Sequence, residues 1–146
     1  MARRWSAAVA TPAAAAGAAF ATIAAPAGSR ARITEIGFFN NAGTIGSVQL
    51  IRANNTYVAT TTVSPVPDNP DDPVGTTLVS TAWSTAPTIQ TVPLRRITLP
   101  PSSAAGVIWQ FEDLVVGPVG AGQALVLWNF GTAAASVLQL YVSTDG

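Results

Sequence analysis

Side-chain chemistry is conceivable at three places in this sequence, and the first is an acidic loop. The segment 68–72 (DNPDD) carries several carboxylate and amide oxygens, which are the ligands that hard cations such as calcium prefer. The spacing of these oxygens does not match an EF-hand, and the prolines within and beside the segment stiffen it. We therefore predict a solvated acidic loop and no metal site.

The other two places are a carboxylate pair and a glycine-rich segment. Glu112 and Asp113 are adjacent, and neighbours on a strand point to opposite faces, so they cannot flank one scissile bond. The segment 117–122 (GPVGAG) lacks the Lys-Ser/Thr pair and the following helix that a phosphate-binding loop needs, so we interpret it as a turn before a strand. The chain has no His and no Cys, so no base is present to activate a Ser. We predict no enzyme activity and no cofactor.

Composition favours a protein that binds other proteins. A chain of 146 residues forms one domain, and 49% of its residues are hydrophobic whereas only 10% are charged. Seven arginines balance seven acids, so no net field attracts phosphates and we predict no nucleic acid partner. No segment shows the uninterrupted strongly apolar run of about 20 residues that a membrane helix requires, so we predict no membrane partner.

Short β-prone segments separated by turn residues follow one another along most of the chain. Leu138, Leu140 and Val142 alternate with more polar residues, which is the period of a half-buried strand. The segment 125–130 is apolar on both faces apart from Asn129, which indicates a central strand. We predict an all-β, jelly-roll-like β-sandwich with strands at 33–39, 47–51, 57–63, 77–83, 93–99, 107–112, 123–130 and 136–142.

The first thirty residues differ in composition from the rest of the chain. They are alanine-rich and end in a Pro-Ala-Gly turn, so we predict an extended N-terminal arm over residues 1–30 and a sandwich domain over residues 31–146. The order of Arg3, Arg4 and an apolar run at 7–25 is similar to a secretory signal, which would make the protein secreted. Because Pro12 interrupts the run and alanine is weakly hydrophobic, we prefer the arm, with a first strand around residues 20–24 and ordered by contact with another subunit. The alternative is an arm that folds back as an edge strand of its own sandwich.

Residues suited to contact with a partner fall in this arm and at three later positions. Arginine forms bidentate hydrogen bonds with carboxylates and carbonyls, and aromatic side chains are enriched at protein interfaces. Neighbouring arginines in the strand at 93–99 project to opposite faces, so at least one of them lies near a sheet interior or an interface. The predicted contact residues are Arg3, Arg4, Trp5, Phe20, Trp83, Arg95 and Arg96.

The order of strands and turns resembles a known class of proteins. The segments 33–40 (ITEIGFFN), 94–100 (LRRITLP), 107–111 (VIWQF) and 125–129 (LVLWN) are similar to those of small head-decoration or cement-type virion proteins of tailed bacteriophages. The resemblance implies a virion protein on the capsid surface, often a homotrimer, which binds the major capsid protein and stabilises the head. A tail or fibre component and a carbohydrate- or ligand-binding β-sandwich module are the alternatives.

Overall fold

The computed structural model describes residues 3–41, 43–102 and 105–145, and the regular structure in these ranges is entirely β. No helix in the described part is long and apolar enough to cross a membrane. The strands are β1 (Trp5–Ala10), β2 (Ala18–Ala24), β3 (Ala31–Asn40), β4 (Gly46–Arg52), β5 (Val58–Val63), β6 (Val66–Pro67), β7 (Leu78–Thr85), β8 (Arg95–Leu99), β9 (Gly106–Val116), β10 (Leu125–Asn129) and β11 (Leu138–Thr144).

Eight of these strands pair in a nested order, first with last. β1 pairs with β11, β2 with β10, β3 with β9 and β4 with β8, all antiparallel. Successive pairs alternate between a five-stranded sheet, in the order β6-β1-β11-β3-β9, and a six-stranded sheet, in the order β5-β7-β2-β10-β4-β8. A long hairpin folded over in this way is a jelly roll. The prediction of an all-β, jelly-roll-like sandwich is confirmed.

The three remaining strands lie between β4 and β8 and widen both sheets on the same side. β5 and β7 form an antiparallel pair that extends the six-stranded sheet beyond β2. The two residues of β6 pair with Trp5 and Ser6 and extend the five-stranded sheet beyond β1. The loop predicted around the acidic segment 68–72 therefore begins with one short strand and continues as bends and turns.

The main core lies between the two sheets. Its largest fully buried side chains include Phe20, Phe38, Ile36, Leu127 and Leu138, which come from both sheets. β10 lies between β2 and β4, with Leu125 and Leu127 in the main core and Val126 in a second cluster on the outer face of the six-stranded sheet. The prediction that this segment is a central strand covered on both faces is confirmed.

The prediction that residues 1–30 form an arm is wrong. β1 pairs with β11 over six residues, and β2 lies between β7 and β10 in the middle of the six-stranded sheet. Phe20 and Ile23 are 0% and 1% exposed, so the segment contributes to the core of its own domain. Alanine-rich strands fit here because small side chains allow the sheet surface to pack closely against its neighbours.

Candidate functional site

The two outer faces of the sandwich differ in how they are covered. On the six-stranded sheet, loop residues Ala53, Tyr57 and Ile89 pack over the sheet together with Trp83 and Trp128. The five-stranded sheet has no such cover among the described residues. We call its outward side the open face, and it consists of Ala8 and Ala10 on β1, Gln139 and Tyr141 on β11, Glu35, Gly37 and Phe39 on β3, and Ile108 and Gln110 on β9.

The centre of the open face is an aromatic ring held flat on the sheet. Tyr141 is paired with Gly37, and a Cβ at residue 37 would lie 2.1 Å from Cε1 of the ring. Glycine is therefore required there, because any side chain would displace the ring. The Tyr141 hydroxyl donates to Oε2 of Glu35 at 2.9 Å, and the Gln110 amide donates to Oε1 at 3.1 Å.

Phe39 repeats this arrangement nearer the end of the sheet. A Cβ at Gly106 would lie 2.2 Å from Cδ1 of Phe39 and 2.5 Å from the Phe38 main-chain oxygen. Both aromatic rings thus lie over glycines of neighbouring strands, which keeps the surface flat. The methyl groups of Ala8 and Ala10 project only a short distance from the sheet. Glu35 is the only charged residue among the nine residues that define the open face. A flat face with one internally bonded charge suits close contact with another protein surface.

A bulge in β9 limits the open face on one side. Ile33 pairs with Leu114 and Glu35 pairs with Gln110, so residues 111–113 lie opposite the single residue Thr34. Two shallow depressions of about 390 and 430 Å³ flank the bulge and share Gln110, Phe111 and Glu112. Bulges at sheet edges redirect side chains and interrupt strand pairing. Glu112 and Asp113 lie in this bulge, and the strand predicted at 107–112 is longer than expected, because β9 continues to Val116.

Arg95 and Arg96 lie on opposite faces of β8, as predicted. The guanidinium of Arg95 lies 5.1 Å from the ring centre of Phe111 on β9. The guanidinium of Arg96 lies 4.0 Å from the ring centre of Phe130. Each guanidinium therefore covers an aromatic ring of its own chain. Both side chains remain exposed, so contact with a partner stays a prediction for them.

Two of the predicted contact residues near the N-terminus, Arg3 and Trp5, lie beside the acidic loop, whereas Arg4 lies at the margin of the open face. Arg3 Nε is 3.4 Å from Asp72, and Trp5 Nε1 donates to the Pro73 carbonyl at 2.8 Å. Arg4 lines the larger depression beside Glu35 and Glu112. These contacts fasten β1 to the loop after β6. The structure does not bring Arg3, Trp5 and Arg95 together in one site.

Phe20 and Trp83 have contacts within the sandwich. Phe20 is fully buried between the sheets, so its prediction as a partner contact is wrong in this fold. Trp83 Nε1 donates to Thr22 Oγ1 at 3.1 Å and its ring packs against the outer cluster. Trp109 meets Phe38 edge-on with ring centres 4.8 Å apart and packs against the main core between the sheets.

The two loops considered for ligand chemistry have ordinary turn structure. In the acidic loop, Asn69 Oδ1 accepts from the Asp71 amide at 3.1 Å, and Asp72 pairs with Arg3. Within the described ranges no three His, Cys, Asp or Glu side chains gather in a metal-binding group. Residues 117–122 turn into β10 without a helix, with Gly122 at a φ of 75°, which confirms the turn interpretation.

Sequence reasoning missed the Glu35, Tyr141 and Gln110 cluster. A usable signal was Gly37, because a glycine inside a β-prone run often marks close approach by a neighbour. The alternation that placed Leu138 and Leu140 in the core also placed Gln139 and Tyr141 on the opposite face. What was missing was the register that brings Tyr141 opposite residue 37.

Both tyrosines are expected to titrate above their ordinary range near pH 10. Partial burial, followed by the hydrogen bond and the charge of Glu35, raises the pKa of Tyr141, and burial raises the pKa of Tyr57. A raised phenol pKa means that the folded state keeps its proton where the unfolded state loses it, so stability is expected to fall as pH rises above about 10. The absorbance of phenolate during a pH titration measures the titration midpoint of each tyrosine. Glu35→Gln should lower the midpoint of Tyr141 but not that of Tyr57. Equal shifts at both tyrosines would contradict the assigned role of Glu35.

Comparisons of the chain with protein-family models, with curated proteins and with solved structures find no match.

Proposed function

We propose that this protein is a virion structural protein, a capsid decoration or cement protein that binds the lattice of the major capsid protein and stabilises the head. The open face is the observation that supports this proposal most. It is a flat surface of four neighbouring strands made of alanine, glycine, aromatic and amide residues. Its one carboxylate already accepts two hydrogen bonds, which reduces the cost of removing it from water.

Binding through this face needs little rearrangement of the chain. The Tyr141 and Phe39 rings are already held against Gly37 and Gly106, so few side chains lose freedom on contact. A cement protein covers a surface that other subunits have already formed, and a rigid, nearly uncharged sheet is suited to this task. The large apolar fraction of the whole chain supports the same role, because a protein with few charges has little electrostatic repulsion to oppose its association with other proteins.

The proposal includes the location and the association of the protein. We propose that it lies on the capsid surface of a tailed phage, bound to capsid subunits and to copies of itself. The trimer implied by the resemblance stays a prediction, which the mass of the particle-bound protein tests. The alternative of secretion loses support, because removal of the signal-like segment 7–25 would take β1 and β2 out of the sandwich.

A carbohydrate-binding module is the second candidate, and the position of Tyr141 favours it. Its ring lies flat with one side on the sheet, beside the carboxylate and amide of Glu35 and Gln110, which could bond to hydroxyl groups. We place it second because the four tryptophans, the usual platforms for sugar rings, are all half-buried by contacts with their own chain. A tail or fibre component would use the same open face, and a cryo-electron-microscopy map of the source particle separates head from tail.

The capsid role predicts that a charge added to the open face weakens particle binding. Ala8→Arg introduces a cation beside Tyr141, and burying that cation unpaired costs several kcal/mol, so affinity for particles lacking this protein should fall by at least about tenfold. Co-sedimentation with such particles measures this, and Thr60→Arg on the exposed β5 strand is the matched control. Binding that is equally unaffected by both variants would overturn the assignment of the open face. Binding of Tyr141-dependent glycans without particle binding would favour the second candidate.

A further inference from the structure

The sheets end in four edge strands, and three of them are protected against pairing with another chain. β6 is only two residues long and ends at Pro67. β8 has five residues between Pro93 and Pro100. β5 pairs with β7 through three register shifts, so its edge is irregular. Short length, flanking proline and bulges are the features that prevent edge-to-edge association.

The first half of β9 has none of these protections. Gly106 to Gln110 is uncharged, contains no proline and pairs with β3 in unbroken register. Ile108 is 50% exposed, although it lies in the middle of this edge. The bulge begins only after Gln110 and leaves this half free to pair. A regular, uncharged edge with an exposed isoleucine is a template for an additional strand.

The hydrogen bonding of β3 shows which main-chain groups of this edge are free. The Asn40 amide donates to the Ala105 carbonyl at 2.6 Å. Residues of an antiparallel strand direct their main-chain groups alternately to the two sides, so Val107 and Trp109 also bond to β3. Gly106, Ile108 and Gln110 therefore direct their N–H and C=O groups away from the sheet. The side chains of Ile108 and Gln110 lie on the open face.

We propose that this edge pairs with the same segment of a second copy of the chain, antiparallel about a two-fold axis at Ile108. In this register Ile108 lies opposite Ile108 of the second copy, and Gly106 lies opposite Gln110. The main-chain groups of all three residues are then used, in about six hydrogen bonds. The two five-stranded sheets join into one continuous sheet, and the two open faces become one surface.

The segment is complementary to itself in this register. Val107 meets Trp109 of the second copy, which is a β-branched and aromatic cross-strand pair of the stabilising kind. Glu112 is four residues from the axis, so the two Glu112 residues are about 27 Å apart and do not repel each other strongly. These features identify a second copy, rather than an unrelated strand, as the occupant.

The contact is independent of the virion role, because it depends only on the β9 edge. A two-fold contact joins copies in pairs. A ring of three, which the resemblance implies, would need a different, head-to-tail surface.

The test uses opposite charges at the residue on the axis. Wild-type protein should approach twice its monomer mass of 14.9 kDa in sedimentation as its concentration rises to about 0.5 mM. Ile108→Lys and Ile108→Glu each place like charges directly opposite one another and should each weaken association at least about tenfold. An equimolar mixture of the two variants should restore the dimer, because lysine then faces glutamate. Val58→Lys, at an equally exposed valine on the β5 edge, is the matched control and should associate as the wild type does.

Hydrogen exchange gives a second readout that side-chain contact alone would not change. Dimer formation should slow exchange of the Gly106, Ile108 and Gln110 amides, and leave Val107 and Trp109, already bonded to β3, unchanged. A wild-type chain that stays monomeric, a dimer unaffected by either Ile108 variant, or a mixture that fails to associate would each overturn the proposal. A trimer that tolerates Ile108→Lys would overturn it as well.

Discussion

Removing residues 1–25 is expected to leave the chain without a folded domain. The deletion takes away β1 and β2, and β2 is an interior strand whose loss separates the β5-β7 pair from the rest of the six-stranded sheet. It also removes Phe20 and Ile23 from the centre of the main core. Far-ultraviolet circular dichroism should show loss of the β signal, and urea should produce no cooperative transition.

A shorter deletion provides the control for this experiment. Removing Met1 to Arg3 leaves β1 intact and, among the described residues, breaks the pair between the exposed Arg3 and the partly buried Asp72, which is worth about 1 kcal/mol. This variant should unfold cooperatively, near the wild-type midpoint. If the longer deletion also unfolded cooperatively, the placement of β1 and β2 within the sandwich would be wrong and an arm would be restored.

Asn129→Leu is expected to destabilise the protein by about 3 to 5 kcal/mol. Asn129 is 1% exposed, and its amide nitrogen lies 3.0 to 3.2 Å from three carbonyl oxygens, while its Oδ1 accepts from the Gly131 amide at 3.0 Å. The carbonyls belong to Ala14, Ala15 and Ala133, so one side chain joins the β1–β2 connection to the turn after β10. Leucine has similar size but satisfies none of these groups. Urea unfolding measures the loss of free energy.

The matched control is the same substitution at an asparagine with exposed hydrogen bonds. Asn55 donates to the Ala86 carbonyl and accepts from the Thr88 amide, and water can replace both interactions. Asn55→Leu should therefore cost only about 1 kcal/mol. An equal loss of unfolding free energy in the two variants would show that the burial of Asn129 does not make its hydrogen bonds more important than those of Asn55.

Much of the strand content could be predicted because large apolar residues alternate with polar ones. Leu138, Leu140 and Val142 mark β11 in this way, and the apolar run at 125–130 marks β10 as a central strand. The opposite orientations of Arg95 and Arg96 also follow from local geometry alone.

β1 was not recognised because alanine hides the alternation of buried and exposed residues, whereas the strand predicted at 20–24 lies within β2. In β1, Ala7 is buried and Ala8 is exposed, yet the two residues are identical in the sequence. The pairing of distant strands could not be predicted from local sequence patterns either, because Tyr141 and Gly37 are more than one hundred residues apart in the sequence. The open face and its cluster at Glu35 could therefore be found only once the sheet order was known.

The nested pairing of the strands has a consequence for how the chain acquires its structure. β1 has only the two-residue β6 beside it until β11 has been synthesised, since Trp5 to Ala10 otherwise pairs with residues 139–144. Such distant contacts form slowly, because a long loop must close before they stabilise the chain. The early strands therefore spend time unpaired, when exposed apolar edges are prone to aggregate. Strands rich in alanine rather than leucine or isoleucine expose less apolar surface while they are unpaired. The composition of the N-terminal segment therefore lowers the tendency of the chain to aggregate before it has folded.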